Sequence, residues 1–303
     1  MTIAAGQKTE VSYRIRKTGE IITEKIFAEK TLRWMYEDKI GFQVFKYLMN
    51  NAIFCWLYGK MQDLPGSKKK IAAFVHEHQI NMEEAEKAIE NYISYNDFFR
   101  RCLKPGSRPF NPNADIFSAP AEGKVLVYPK LEDNTRIPVK GATITIAGLL
   151  ASETEAQRYI GGAAMIVRLA PYDYHRFHFP DDGEAAKARN IKGQYHSVNP
   201  IALAKVPDLF CRNKRSVTEF KSKNFGTIAY IEVGAICVGT IIQTYQPGKV
   251  TKGQEKGYFQ FGGSTVVLLF EPGAIVFDAD LIKDSAMNLE VHLQALSSIG
   301  KRP

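Results

Sequence analysis

Two histidines and one serine lie in segments whose composition suits catalysis. His175 and His178 stand three residues apart, and imidazoles can accept or donate protons near neutral pH. Ser264 follows a pair of glycines, Gly262 and Gly263, and leads into an apolar run. Glycine adopts backbone angles closed to other residues, which leaves the carbonyl of the bond before Ser264 open to attack. The serine hydroxyl beside that bond is therefore a candidate nucleophile.

Glu122 is the carboxylate that completes this candidate set. It lies in the run S-A-P-A-E-G, directly before a predicted strand. A carboxylate there can orient a histidine, so Ser264, His178 and Glu122 would form a serine, histidine and carboxylate arrangement. The residues alone leave ordinary alternatives open, namely surface histidines in a polar loop, a Gly-Gly hairpin turn and a surface glutamate.

Metal, disulfide and nucleotide sites are not predicted. No third ligand at metal spacing accompanies the two histidines. The four cysteines, Cys55, Cys102, Cys211 and Cys237, contain no C-x-x-C pair and indicate reduced thiols. The glycines match neither a P-loop nor a G-x-G-x-x-G fingerprint.

The elements that must position these side chains change in character along the chain. Helices are predicted in the first third, over 40–58 as a pair and over 82–95 after a cap at Asn81. A Pro- and Gly-rich linker at 105–112 leads into short β-rich runs without βαβ alternation. The sequence therefore predicts an α+β fold with a predominantly antiparallel β domain. Its strands are predicted at 124–128, 143–146, 164–169, 226–233, 236–244 and 264–270.

Charge is uneven along the 303 residues. The net charge is +8 at a pI near 9.1, and 45% apolar content is enough for a large core. Residues 1–110 carry 18 basic and 13 acidic side chains, a net of +5 that leaves +3 for the rest. The excess favours an anionic partner. Nucleic acid is disfavoured because the β-rich part shows no basic stripe interleaved with aromatics. No secretory signal is predicted at the N-terminus.

The aromatic segment 40–58 approaches the length of a membrane span but carries Lys46 at its middle. A central lysine opposes insertion by about 2.5 to 3.5 kcal/mol. The segment is instead expected to be amphipathic, lying in a lipid interface or packed on the protein with its lysines in solvent. With the triple lysine at 68–70, it suits an anionic membrane surface.

Taken together and in order, six short motifs resemble the phosphatidylserine decarboxylase family. The segment Y-N-D-F-F-R-R at 95–101 is similar to the family's F-N-x-F-F-x-R. The others are P-A-E-G at 120–123, Y-H-R-F-H-F-P at 174–180, H-S-V-N-P at 196–200, L-F-C-R-N-K-R at 209–215 and G-G-S-T at 262–265.

This resemblance implies a proenzyme that cuts itself between Gly263 and Ser264. The products would be a β chain of residues 1–263 and an α chain of residues 264–303. Ser264 would become a covalent pyruvoyl group, the cofactor that forms a Schiff base with the amine of phosphatidylserine. No metal is implied.

The resemblance also assigns the other site residues. His178 matches the histidine that activates the serine, and His175 matches the one that acts at the substrate during decarboxylation. Glu122 falls where most family members carry aspartate, so its side chain is one methylene longer. Its expected role is to orient His178.

The function predicted is phosphatidylserine decarboxylase, a carboxy-lyase that makes phosphatidylethanolamine and carbon dioxide. Two alternatives are a pyruvoyl-dependent decarboxylase of a soluble amino acid and a non-cleaving protein that binds anionic phospholipid. The predicted organisation is a membrane-associating helical region (1–110), a catalytic domain (111–286) and a C-terminal tail (287–303). A peripheral protein on the cytoplasmic face of the cell membrane is expected, with homodimerisation left open.

Overall fold

The computed structural model describes residues 11–131, 137–139, 142–236, 240–262 and 264–303. Side-chain caps set the start of several helices: Asn51 accepts a hydrogen bond from the Phe54 N–H, and Ser94 accepts one from the Asp97 N–H. A π-helical turn, Phe45–Met49, connects two of the early helices. The helices are α1 (Glu29–Glu37), α2 (Lys39–Val44), α3 (Ala52–Asp63), α4 (Ile71–His78), α5 (Tyr95–Phe99), α6 (Ile146–Leu150), α7 (Glu153–Ala156), α8 (Pro200–Leu203), α9 (Leu209–Arg212) and α10 (Ala279–Ala286).

The strands are short, and most of them follow the linker. They are β1 (Ser12–Ile15), β2 (Ile21–Thr23), β3 (Ile116–Ser118), β4 (Gly123–Tyr128), β5 (Ile137–Val139), β6 (Ala142–Ile144), β7 (Ala163–Leu169), β8 (Arg176–His178), β9 (Gly183–Ala185), β10 (Arg189–Ile191), β11 (Arg215–Ser222), β12 (Thr227–Val233), β13 (Ile241–Gln243), β14 (Gly248–Val250), β15 (Glu255–Phe259), β16 (Ser264–Phe270), β17 (Val276–Phe277), β18 (Glu290–Leu293) and β19 (Ser298–Lys301).

One large sheet organises the molecule. Its strand order is β14-β9-β11-β12-β16-β7-β4-β18-β1-β2, with β10 also paired to β11. Every strand pair described in this sheet is antiparallel except β1 with β18. Strand β16 lies between β12 and β7. The predicted α+β class with a mainly antiparallel sheet is confirmed, as are the strands predicted at 124–128, 164–169, 226–233 and 264–270.

The two faces of the sheet bury separate cores, because neighbouring residues of a strand point to opposite sides. One core contains Ile166 and Val267 and is covered by helices that include α1, α6, α8 and α9. The other contains Val167 and Leu268 and is covered by the small sheets β13-β15-β8 and β17-β19-β3. A third cluster joins α4 and α5 to Phe261, just before β16. The start of β16 therefore lies where the helical part meets the sheet.

The helix predicted over 82–95 was wrong. Two 3₁₀ turns, Met82–Glu84 and Ile89–Asn91, occupy that segment, and the predicted cap at Asn81 serves the first. The backbone there bonds to residues farther along the chain: Glu86 N–H donates to Cys102 O at 3.0 Å. Those tertiary bonds use groups that a continuous helix would need internally.

Two predicted strands were also misplaced. The strand predicted at 143–146 ends at Ile144, because the Thr145 side chain accepts a bond from Gly148 N–H and starts α6. Of the strand predicted at 236–244, only β13 is a strand among the described residues, and 237–239 lie outside them.

Both ends of the described chain enter the sheets. Strand β1 pairs with β18, and β19 pairs with β3 and β17. Of the helices in the described residues, none is long and apolar enough to cross a bilayer. None of the three described cysteines, Cys55, Cys102 and Cys211, forms a disulfide, and Cys237 lies outside the described residues.

Candidate active site

Ser264 is the first residue of β16 and is fully buried. It lies opposite Leu169 of β7, and its Oγ has no hydrogen-bond partner among the described residues. Leaving a buried hydroxyl unpaired costs about 1 to 3 kcal/mol, so the position needs an explanation other than stability. Gly262 has a φ of 131°, a conformation that favours glycine. Gly263 lies outside the described residues.

His175 lies beside the segment that leads into Ser264. Its backbone carbonyl accepts from Phe259 N–H at 2.9 Å, and its ring packs on Phe99 with centroids 4.0 Å apart. Its Nδ1 donates to the Asp173 carbonyl at 2.9 Å, while Nε2 has no hydrogen bond of normal geometry. Burial lowers the pKa of His175 to about 3, although the backbones of Asp173 and Gly262 act in the opposite direction. The ring is therefore neutral at physiological pH.

His178 is also buried and has one ring nitrogen without a partner. Its Nδ1 donates to the Gly253 carbonyl at 3.1 Å, which leaves the lone pair on Nε2. Burial lowers the pKa of this ring. His178 pairs with Glu255, at the opposite end of β15 from Phe259. The described hydrogen bonds of His178 do not include Ser264, whereas the Gly262 backbone acts on the His175 ring, so His175 is the histidine that the structure places beside the segment before Ser264.

Glu122 makes a different contact from the one expected. Both of its carboxylate oxygens accept from Arg108, at 2.6 and 3.2 Å, and Arg108 also bonds Glu84 at 2.8 Å. The described bonds of Glu122 and His178 do not join the two side chains, although His178 N–H bonds the nearby carbonyl of Pro120. Sequence reasoning missed Arg108, because nothing in the linker distinguishes this arginine from a solvated one.

The motif at 95–101 holds the segment before Ser264. Asn96 Oδ1 accepts from Phe261 N–H at 3.1 Å, and its amide donates to Gly59 O and Asp63 Oδ1. Arg101 bonds the carbonyls of the segment before His175, Tyr172 O at 3.1 Å and Asp173 O at 3.3 Å. The motif that contains α5 is thus tied to both the segment before Ser264 and the segment before His175.

Two further motifs fix the strand beside Ser264. Asn213, in L-F-C-R-N-K-R, donates to His196 O and to Gly234 O, each at 2.8 Å. Gly234 follows Val233, which lies opposite Thr265 in the sheet. The conformation at the end of β12 is therefore set by residues from both motifs.

Comparison with known proteins decides which family these features represent. The family model for phosphatidylserine decarboxylase matches residues 95–292, which include Glu122, both histidines and Ser264. The chain belongs to the phosphatidylserine decarboxylase family. The resemblance inferred from the motifs is thereby confirmed.

Curated relatives match almost the whole chain. A phosphatidylserine decarboxylase proenzyme of Clostridium tetani is 44% identical over 293 residues, covering 96% of this chain and 98% of the relative. One from Clostridium novyi is 42% identical over 280 residues, with coverages of 92% and 95%. One from Clostridium kluyveri is 43% identical over 291 residues, with coverages of 96% and 98%.

In this member of the family, a cavity of about 220 Å³ lies beside Phe261 and Gly262, the segment that leads into Ser264. Gly262 and Leu169 line it, and Leu169 is the residue opposite Ser264. Helices contribute part of the remaining wall, including Leu32, Met35 and Tyr58. The cavity is mainly apolar, and Arg168 is the one cationic side chain among its described lining residues.

Arg168 belongs to a buried charge cluster that the sequence analysis missed. Its guanidinium bonds Glu24 and Glu290, and the neighbouring Lys124 bonds Asp173 at 2.9 Å. The ring of His292 also faces this cluster, with its Nε2 3.4 Å from Asp173. The available signal was the presence of Lys124 and Arg168 within otherwise apolar strands.

The helices around the cavity leave apolar side chains exposed. Helix α3 carries several of these on one face, at helical spacing, while Phe54 and Tyr58 of the same helix line the cavity. We name this set the apolar surface; each member is at least 52% exposed: Ile40, Tyr47, Leu48, Ile53, Trp56, Leu57, Met61 and Leu64.

The described residues contain no group of three or more His, Cys, Asp or Glu side chains that could hold a metal ion.

Proposed function

We propose that this chain is a proenzyme that cleaves itself between Gly263 and Ser264 and then decarboxylates phosphatidylserine to phosphatidylethanolamine and carbon dioxide. The observation that carries the proposal is the buried, unpartnered Ser264 hydroxyl at the start of a strand, in a chain of this family. The names of the curated relatives favour this function over a soluble amino-acid decarboxylase or a lipid-binding protein that does not cleave.

Self-cleavage begins at the Ser264 hydroxyl. A base removes its proton, Oγ attacks the Gly263 carbonyl carbon, and the peptide C–N bond breaks to give an ester. Loss of the Ser264 α proton then breaks the ester C–O bond at Ser264 and releases the Gly263 carboxylate. The resulting dehydroalanine tautomerises and hydrolyses to a ketone with release of ammonia. Ser264 Oγ has no competing hydrogen bond among the described residues, which fits this role.

His178 is the base that we assign to the first step. Its lone pair is on Nε2, because Nδ1 donates to Gly253 O, and its lowered pKa keeps it neutral. A neutral buried imidazole can take a proton without first losing one. The assignment requires the His178 ring to move within hydrogen-bonding distance of Ser264. In the structure, the ring bonds the Gly253 carbonyl.

Ser264 fits conversion to the pyruvoyl group, since it is buried and lies opposite Leu169, which lines the cavity together with Gly262. The pyruvoyl group supplies a ketone that withdraws electrons from the bond to the departing carboxylate. His175 lies next to Gly262, and its Nε2 carries the lone pair because Nδ1 donates to the Asp173 carbonyl. It would orient the head group, take up the proton that the substrate ammonium loses and return that proton after carbon dioxide leaves. The apolar cavity wall would exclude water from the reacting carbon.

The apolar surface supports docking on a membrane that contains the substrate. Exposed Lys39, Lys46 and Lys60 and the triple lysine at 68–70 accompany it. Basic residues near an anionic leaflet contribute about 1 kcal/mol each. We therefore propose a peripheral protein at the cytoplasmic face, which draws phosphatidylserine from the bilayer into the cavity.

Intact-mass spectrometry of the purified wild-type chain tests the function. We expect two polypeptides, residues 1–263 and 264–303, the second with a blocked N-terminus that reacts with phenylhydrazine. The matched control is Ser264→Ala, which should remain one chain and lose decarboxylase activity. An uncut, inactive wild type would refute the proposal, and a cut Ser264→Ala protein would refute the assignment of the scissile bond.

A further inference from the structure

Residues 11–24, which we name the N-terminal arm, are held against the C-terminal part of the chain. Strand β1 of the arm pairs with β18, and Arg14 bonds Asp284 at 2.7 Å. Arg16 bonds both Asp278 and Asp280 at 2.7 Å. These contacts fix the last residue of the arm, Glu24, whose N–H bonds Val11 O at 2.7 Å. The arm thus places the Glu24 carboxylate in the interior of the protein.

That carboxylate lines the cavity beside the cleavage segment. Glu24 is 7% exposed and accepts from Arg168 Nη1 at 3.1 Å, Arg168 Nη2 at 2.7 Å and Tyr172 Oη at 3.2 Å. An ionised carboxylate offers about four acceptor positions, so these three bonds leave room for one more donor. Burial alone would raise the pKa of Glu24, but Arg168 and Lys124 outweigh it and lower the pKa. Glu24 is therefore ionised.

The carboxylates around Glu24 outnumber the lysine and arginine side chains that the structure describes beside them. The carboxylates are Glu24, Asp173 and Glu290, and the cations are Lys124 and Arg168, with His292 facing Asp173. A buried carboxylate is stabilised by positively charged partners that approach it. A cationic group that enters the cavity would therefore be attracted to Glu24.

We propose that Glu24 binds the primary ammonium of the phospholipid head group and thereby selects serine head groups over hydroxyl-bearing ones. This inference rests on the proposed function, because it takes the cavity as the substrate site. Gly262 and Leu169 line the same cavity as Glu24, so an ammonium held there shares the cavity with the residue two before Ser264 and with the residue opposite Ser264 in the sheet. The N-terminal arm is then part of the active site, and Arg168 positions the Glu24 carboxylate.

Binding to the uncut Ser264→Ala chain isolates this contact, since that protein cannot form a covalent bond with the amine. The probes are dihexanoylphosphatidylserine and dihexanoylphosphatidylglycerol, used below their micelle-forming concentrations. Both carry one net negative charge, and only the first has an ammonium. Calorimetry should show the serine lipid binding at least tenfold more tightly, the range expected of a charge-assisted hydrogen bond.

Glu24→Gln in the same background keeps the side-chain shape and removes the charge. We expect a loss of about tenfold in affinity for the serine lipid and little change for the glycerol lipid. Glu290→Gln is the matched control, because Glu290 bonds the same guanidinium but does not line the cavity. Glu24→Asp keeps the negative charge and should therefore show part of the preference for the serine lipid over the glycerol lipid.

Equal affinities of the Ser264→Ala parent for the two lipids would overturn the proposal, whether or not the variants fold. An equal loss in Glu290→Gln would also overturn it, since the effect would then arise from Arg168. Either result would contradict only the role of Glu24. The proposed function would still hold if the wild type cleaves itself and releases carbon dioxide.

Discussion

Asn96 and Phe261, 165 residues apart in sequence, are joined by a hydrogen bond of 3.1 Å from the Phe261 N–H to Asn96 Oδ1. Phe261 lies two residues before Gly263, and its ring packs on Tyr95 and Phe99 of the same helix. Helix α5 therefore holds the backbone that leads into the proposed cleavage site. The N-terminal helices do more than cover the sheet, because one of them fixes the segment before Ser264.

Asn96→Ala should slow self-cleavage. The substitution leaves the buried Phe261 N–H without an acceptor, which costs about 1 to 3 kcal/mol, so we expect at least a tenfold lower rate. Electrophoresis of samples taken during expression or refolding measures the rate. The matched control is Asn91→Ala, an exposed asparagine in the same region that should cleave normally. Equal rates for the two variants would show that the bond does not position the segment.

His178→Ala and His175→Ala should fail at different steps. We expect His178→Ala to remain uncut, because it lacks the base for Ser264. We expect His175→Ala to be cut but to lose at least a hundredfold in decarboxylation rate, the scale of general acid catalysis. Cleavage by electrophoresis and release of labelled carbon dioxide separate the two. Since the structure places His175 nearer Gly262, an uncut His175→Ala chain would transfer the base role to that residue.

Glu122 should act through its charge and its contact with Arg108. Glu122→Gln is expected to slow cleavage at least tenfold, because it leaves the buried Arg108 guanidinium without its main counter-charge. Glu122→Asp keeps the charge and should cleave within about threefold of wild type. Glu84→Gln, which removes the other partner of Arg108, is the control and should have a small effect. The same rate in Glu122→Gln and Glu122→Asp would remove Glu122 from the mechanism.

The apolar surface should be needed for membrane binding and not for maturation. Each apolar side chain that enters lipid contributes about 1.5 to 3 kcal/mol, so Ile53→Ser should weaken binding to phosphatidylserine vesicles roughly tenfold or more. Cosedimentation measures the binding. The control is Ile21→Ser, which changes an isoleucine that is also exposed but lies on β2. Equal binding by the two variants would contradict a membrane role for α3, and both chains should cleave normally.

Sequence alone determined the features that depend on neighbouring residues. The strand at 264–270 followed from its apolar run after two glycines, and the order of the short motifs identified the family. Backbone freedom at glycine and the period of a strand are local properties, so they can be read from a few adjacent residues. The helix predicted at 82–95 failed because its backbone bonds are made with residues near 102.

Only the tertiary structure decided which side chains meet. Arg108 with Glu122, Asn96 with Phe261 and Glu24 with Arg168 are pairs separated by 14, 165 and 144 residues. Such contacts depend on how strands and helices are packed. The sequence shows that a residue is charged but not which partner offsets the cost of burying that charge. The sequence therefore determined the strand that begins at Ser264 and predicted this serine as the nucleophile, while the packing of the arm and helices decided what surrounds it.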